Sequence, residues 1–467
     1  MAQHSIMEDQ TQLKQQPLPP LVKGKYPIGS AFDFIRDSLG FFEEVVPKYG
    51  GIFQVRSIFF PFISDFDYMM IVSDPDMVKH IMQDNNKNYV KSHGYNVLKV
   101  LLGEGLLTSE GDFWRKQRRL MQPTFHRDRL ASFVDTYVEF GRQLVDKWKT
   151  LPDGSEVDVS KDFMETTLNI VSKAMFSSDV ADVMEVVNRE FDYANEQLIK
   201  RITSPFPIPL WVPLPHIQKE SRSYTAIKNV VADIIEKRRA SDQRYDDLLS
   251  MLMEVEDADT GEKMSDQQIQ DEVITIFLAG HETTAVALTW LVHCLDENPE
   301  VEQKLIEEES RVLNGRQPNL EDLHSLEYTR MVIDETLRLY PPAWIIGRHA
   351  TDEDQLGNYR IPKDSNCLIP VYYIHRDPKL WDNPEEFRPE RFSKENSKGR
   401  HKFVYFPFGG GPRLCIGNNF ALMEMQIIVP MVVRAIKLRK SKGFQFKKEP
   451  LITMRPAPHM KMVLTSR

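Results

Sequence analysis

The residues best suited to chemistry lie in one stretch, Phe408-Gly409-Gly410-Gly411-Pro412-Arg413-Leu414-Cys415-Ile416-Gly417. Consecutive glycines admit backbone angles that a Cβ forbids, so the loop can turn tightly beneath a flat ligand. Gly417 lets that ligand approach the next helical turn. Apolar residues at Phe420, Met423, Ile427 and Met431 recur at three- and four-residue spacing, which predicts a helix directly after the loop. Cys415 would then sit near the positive end of a helix, among backbone N–H groups, a setting that favours thiolate over thiol. Thiolate is the form that binds metal, so the stretch predicts a cysteine ligand to iron. A buried, inert cysteine beside a glycine-rich turn is the plainer reading of a lone Cys.

Three further spacings carry chemistry. Trp114 and Arg118 fall one helical turn apart, so an indole N–H and a guanidinium can grip one carboxylate. Ala279-Gly280-His281-Glu282-Thr283-Thr284 places an acid and a hydroxyl inside a mostly apolar run. His281-Glu282 suggests the HExxH zinc pattern, but Ala285 stands where the second histidine must be, and zinc is rejected. Glu335 and Arg338, also one turn apart, form an acid-before-base pair that is common on helix surfaces, with Pro389-Glu390-Arg391-Phe392 following later.

Together these motifs resemble the cytochrome P-450 family. Phe408, Gly411, Arg413, Cys415 and Gly417 match its haem-binding signature, Ala279 to Thr284 its oxygen-activation motif, and the other motifs follow in the family's order from Trp114 to Gly417. The resemblance implies a mainly α fold with small β-sheets, a single large catalytic domain over residues 21–467 and a flexible tail over residues 1–20. It implies haem b (iron protoporphyrin IX) with Cys415 as axial thiolate and Phe408 beside the sulfur. Trp114, Arg118, Arg348 and Arg413 would serve as propionate partners, with Gly411, Gly417, Ala279 and Gly280 close to the macrocycle. Thr283 and Glu282 would hold water and relay protons, while Glu335, Arg338 and Arg391 would form a structural triad.

By family position Leu107, Leu278, Ala343, Trp344, Ile345 and Ile452 would line an apolar substrate pocket. The expected activity is monooxygenation of a hydrophobic small molecule with dioxygen as cosubstrate. Electrons would come from NAD(P)H through a separate reductase or ferredoxin, since only ~50 residues follow Cys415, too few for a fused flavin or iron–sulfur domain. A peroxide-driven peroxygenase, a haem-thiolate ligand sensor and a helical interaction protein without cofactor are the alternatives.

These side chains need a scaffold. Residues 31–49 show a helical apolar face that Gly50-Gly51 ends before a strand at Ile52–Val55, and a second strand spans Tyr68 to Val72. Asp74-Pro75 reads as a helix start. Gly103-Glu104-Gly105-Leu106-Leu107 reads as a loop able to fold over a ligand, and Lys116 and Arg119 as charges open to an acidic partner. Helical patterns fill residues 128–254, broken at Ser204-Pro205-Phe206-Pro207-Ile208-Pro209 through Pro215, a candidate lid. Ser265 and Gln268 have capping-box spacing ahead of a helix reaching about Glu297, ~45 to 50 Å long. Asn298-Pro299 restarts a helix, Tyr340-Pro341-Pro342 ends one, and residues 343–346 and 451–454 read as strands near the pocket.

Composition fits a globular enzyme: 467 residues, 41% hydrophobic and 27% charged. A net charge of -9 argues against nucleic acid as partner. Three scattered cysteines form neither a disulfide framework nor a CxxC pattern, which fits a reducing interior. The Gln- and Pro-rich start lacks the apolar run of a signal peptide or membrane anchor, so the expectation is a cytoplasmic, soluble, bacterial-like monomer without a transmembrane segment.

Overall fold

The computed structural model describes residues 15–25, 29–56, 69–177, 190, 193–198, 200–201, 208–241, 243, 245–257 and 261–467. The chain is mainly helical with small β-sheets, and its residues group into two compact units.

The first unit draws on Met1–Tyr95, Ala343–Glu386 and Lys398–Cys415. Its long helix is α1 (Ser38–Tyr49), ended by Gly50 at φ 88°. The single helix expected over residues 31–49 is broken at Asp37, whose carboxylate accepts the Gly40 N–H at 3.1 Å and so caps α1 as a separate helix after Ser30–Arg36. The unit's sheet comprises β1 (Ile52–Val55), β2 (Met69–Val72), β3 (Tyr89–Lys91), β4 (Ile346–Ala350) and β5 (Asn366–Ile369), in the order β1-β2-β5-β4-β3. Strands β2 and β5 pair in parallel, and the other pairs are antiparallel. Every residue of β1 and β2 is buried, as in a sheet covered on both faces. Asp74 caps the helix that starts at Pro75, accepting from Asp76 and Met77 N–H.

The second unit comprises Asn96–Pro342, Phe387–Ser397 and Ile416–Arg467. Its principal helices are α2 (Gly111–Met121), α3 (Val134–Lys149), α4 (Val159–Phe176), α5 (Pro215–Ala240), α6 (Asp266–Glu297), α7 (Pro299–Val312), α8 (Glu327–Leu339) and α9 (Asn418–Ala435). Helix α6 opens with the expected capping box: Gln268 N–H donates to Ser265 Oγ at 3.3 Å, and Gln268 Oε1 accepts the Ser265 N–H at 2.8 Å. Buried over most of its circumference, it forms the axis of the unit, with α4 packed along it and α5, α8 and α9 beside it. Among the described residues α6 alone is long and apolar enough to cross a bilayer, but 78% of its most apolar window is buried inside the protein.

Several expected elements differ. Residues 343–345 are not strand; β4 starts at Ile346. Residues 451–453 are bends, and the strand there is Met454–Ala457. Lys116 and Arg119 already hold acids of their own chain, Glu262 and the buried Asp257, although the Arg119 side chain stays half-exposed. Residues 1–14 of the expected tail, Tyr68 of the second strand and Ser204 to Pro207 of the candidate lid lie outside the described residues. Pro215, at the end of the break, starts α5 where its missing N–H costs nothing.

Candidate active site

The cysteine loop is shaped by its backbone. Gly409 N–H bonds to Phe406 O at 2.9 Å, Leu414 N–H to Gly411 O at 3.1 Å and Cys415 N–H to Phe408 O at 2.9 Å, closing the turn. Gly409 and Gly411 have φ of 73° and 62°, in the left-handed region. A Cβ on Gly411 would lie 1.9 Å from Met82 O, and one on Gly410 would lie 2.5 Å from the Phe403 ring, so neither position admits a side chain. Below the loop, buried His375 accepts the Phe406 N–H at Nε2, 3.0 Å away, and meets the Phe406 ring edge-on. Of the three cysteines, Cys415 alone is exposed; burial pushes the Cys367 thiol up to about 12. Helix α9 begins at Asn418, and Phe420, Met423, Ile427 and Met431 are all buried, as their spacing predicts.

In the same unit Arg348 is 6% exposed and donates through Nη1 to its own strand at Gly347 O, 2.9 Å away. Among the described residues no carboxylate pairs with it. A buried guanidinium answered only by a carbonyl has the chemistry to accept an anion.

The middle of α6 has the opposite character, because side chains from elsewhere determine it. Between Gln270 and Leu295, Ala279 is exposed and Ile276, Gly280 and Thr283 are half-buried, a stripe at helical spacing; every other residue is buried. Glu282 points away from that stripe. Its Oε1 accepts Thr453 Oγ1 at 2.6 Å and its Oε2 accepts Asn195 Nδ2 at 2.7 Å, so both oxygens are held by neutral donors. Thr283 Oγ1 donates to Ala279 O at 2.9 Å, and Thr167 of α4 donates to His281 O at 3.0 Å. His281 bonds back to Phe277 O at 2.6 Å, as a satisfied core histidine does. Gly280 also lies close to α4: a Cβ there would face Val171 at 3.2 Å.

Helix α2 carries Trp114, buried, and Arg118, half-buried, one turn apart. Glu335 of α8 binds Arg338 at 2.7 and 2.8 Å, Arg391 Nε at 3.3 Å and Arg388 N–H at 2.8 Å. The pairing expected from sequence is therefore present and buried. Of the expected pocket residues, Leu107, Ile345 and Ile452 are half-buried, Ala343 is exposed and Leu278 is buried. Trp344 does not present a pocket wall: it is buried against Phe42, ring centroids 6.4 Å apart, because the chain there turns into the core of its own unit.

Sequence reasoning missed Asn195 and the role of Thr453, which reach Glu282 from distant segments, and His375, which braces the start of the cysteine loop at Phe406. It also missed Asp271 and Glu272, although two acids opening the apolar run of α6 were visible. The residues fit a haem. An accessible cysteine on a loop closed by glycine angles has the chemistry to ligate iron, and buried Arg348 of the same unit suits a propionate.

A family model described as cytochrome P-450 matches residues 19–462. Protein LUTEIN DEFICIENT 5, chloroplastic, from Arabidopsis thaliana is 33% identical over 427 residues, covering 86% of this chain and 69% of that protein. Cyclooctat-9-en-7-ol 5-monooxygenase from Streptomyces melanosporofaciens is 32% identical over 370 residues, 79% of this chain and 80% of that one. A crystal structure of the cytochrome P450DA haem domain superposes with a TM-score of 0.83 at 25% identity, covering 97% of this chain and 98% of the other.

Proposed function

Since the chain belongs to the cytochrome P-450 family, and is thereby a haem-iron monooxygenase, we propose that it hydroxylates a C–H bond of a medium or large apolar molecule. In this reading Cys415 would hold the iron of haem b through its thiolate. The observation that carries it is the exposure of that one cysteine on a loop where Gly410 and Gly411 have no room for a side chain. Arg348 and Arg413, with Trp114 and Arg118 of α2, would hold the haem propionates. When bound, the haem supplies dioxygen binding and O–O cleavage.

The chain's own residues manage water and protons. Thr283 stands on the accessible stripe of α6 with a hydroxyl bonded to its own helix, from which it can turn to a water. Glu282 carries the proton store, and the two neutral donors on its carboxyl keep it in place between transfers. Leu107, Leu278, Ala343, Ile345 and Ile452 contact substrate. None has a hydrogen-bonding side chain, so an unpaired polar group among them costs roughly 1 to 3 kcal/mol, while each buried CH₂ contributes about 0.8 kcal/mol. That favours terpenoid, steroid-like or lipid-like molecules. The Streptomyces relative named for cyclooctat-9-en-7-ol, by that name an alkenol, points the same way. Electrons pass from NAD(P)H through a separate redox protein, and the enzyme works as a cytoplasmic monomer.

Cys415→Ala tests the assignment: it should abolish the long-wavelength ferrous carbonyl band, and a variant that keeps the band overturns it. Spin-state titration with a compound library tests the substrate class; shifts confined to small, highly polar compounds would refute it. Turnover with NAD(P)H and no added redox protein would refute the separate donor.

A further inference from the structure

We propose that Asp271 and Glu272 are positioning residues: their carboxyl groups hold the backbone of residues 103–107 onto α6 and so set where Leu107 stands, a role that rests on the reading of Leu107 as a substrate contact. Glu104 N–H donates to Asp271 Oδ2 at 2.9 Å, and Leu106 N–H donates to Glu272 Oε2 at 3.0 Å. Two alternate amides of one loop thus end on two consecutive acids of one helix.

The loop lies too close to α6 for side chains in between. Gly103 has φ 57°, and a Cβ on it would be 2.3 Å from the Asp271 carboxyl; one on Gly105 would be 2.2 Å from Thr275 Oγ1. Its other polar groups are tied as well. Thr108 Oγ1 donates to Gly103 O at 2.7 Å and Gln117 of α2 donates to Glu104 O at 3.0 Å. Asp271 is braced by Gln267 Nε2 at 2.9 Å.

Glu272 is fully buried, and its Oε1 has no partner; neither does Thr275 Oγ1 one turn on. Other helical threonines, Thr166, Thr283, Thr289 and Thr336 among them, bond to the carbonyl four residues back. The charged groups around Glu272 are Asp271 beside it, the Lys99–Glu104 pair on the loop side and Lys228 of α5, whose Nζ is spent on Val100 O at 3.1 Å. Burial pushes the Glu272 carboxyl up to about 8 and Asp271 pushes the same way, against the lowering by Leu106 N–H, so the acid is held neutral.

The sign follows. A closed loop binds a proton on Glu272 that an open, hydrated loop releases from the ordinary 4.5, so closure weakens as pH rises from 4.5 to about 8 and levels off above it. The readout is amide hydrogen exchange of Glu104 and Leu106 in the full chain. Opening of the parent should increase up to about tenfold per pH unit across that window, beyond the intrinsic base catalysis of exchange. Glu272→Gln, which keeps an acceptor but cannot ionise, should follow the intrinsic slope alone. Glu272→Ala should expose Leu106 at least tenfold more at every pH and alter the distribution of oxidised products.

A parent profile that follows only intrinsic exchange overturns the proposal without any variant having to fold. Unchanged Leu106 protection in Glu272→Ala overturns it too. If protection is lost while spin-state affinity and products stay the same, the clamp does not position a substrate contact, and the failure lies in the reading of Leu107. The haem-thiolate assignment is untouched by any of these results.

Discussion

The cysteine loop and the middle of α6 supply the two halves of the proposed chemistry, yet they are built by different means. In residues 408–415 the determinant is the main chain: left-handed glycines, amides closing onto carbonyls of the same loop, and contacts that leave no room for a Cβ at Gly410 or Gly411. In α6 the main chain is an ordinary helix, and the determinants are donors reaching in, from Thr167, Asn195 and Thr453. A main-chain device has few alternatives and should fail as a whole when one atom is added. A side-chain device should fail by degrees, since removing one donor leaves a buried oxygen unsatisfied at roughly 1 to 3 kcal/mol and the helix persists without it.

The largest effect should therefore come from Gly411→Ala, where a disfavoured φ and a collision with Met82 O add up to about 3 to 5 kcal/mol. Chemical denaturation would measure it. Gly417→Ala is the control: with φ -86° and open space around the Cβ, it should stay within about 0.5 kcal/mol, and equal losses at both positions would break the contrast.

Next comes a pH effect at the far end of α6. His293 is buried against Trp290, Phe446 and Tyr340, and burial holds its imidazole down to about 4. Its neutral form is favoured in the fold. The contribution is whole above the ordinary 6.5 and is lost as pH falls toward 4, amounting to about 3 kcal/mol over that window. His293→Phe should flatten the acid limb of a stability–pH curve measured by thermal melting; an unchanged limb would show that other groups control it.

Smaller again are Asn195→Ala and Thr453→Ala, each expected to cost about 1 to 2 kcal/mol and to leave the helix intact. Because both donors act on Glu282, the double variant should depart from additivity by more than 0.5 kcal/mol in a thermodynamic cycle. Additive losses would mean that the two contacts do not share a carboxylate in solution. The smallest change in stability should come from Thr283→Ala, below about 1 kcal/mol, since it removes one back-bond from a buried helix. Its expected effect is on coupling, read as NAD(P)H consumed per product formed with a surrogate redox chain; equal coupling in parent and variant would remove Thr283 from the proton path.

Local rules made much of this legible. The cysteine loop, the Ser265 capping box, the Asp74-Pro75 helix start and the Glu335–Arg338 pairing depend on residues within a few positions of one another, and periodicity located α6 and α9. Asp37 escaped because an acid inside an apolar pattern caps a second helix only if its φ, -151° here, leaves the helical region. Trp344 escaped because apolar residues after a double proline can face either ligand or core, and the Phe42 ring decides for core.

By itself, then, the sequence determined which residues could ligate iron, grip a carboxylate or carry a proton, because residue type and short spacing set those capacities. Only the tertiary structure decided what each is held by: Glu282 by Asn195 and Thr453, the Gly103–Leu107 backbone by Asp271 and Glu272, and the Gly280 gap by Val171. Such partners lie tens to more than a hundred and fifty residues away along the chain, and only packing at distances of a few ångströms, which no local pattern encodes, brings them together.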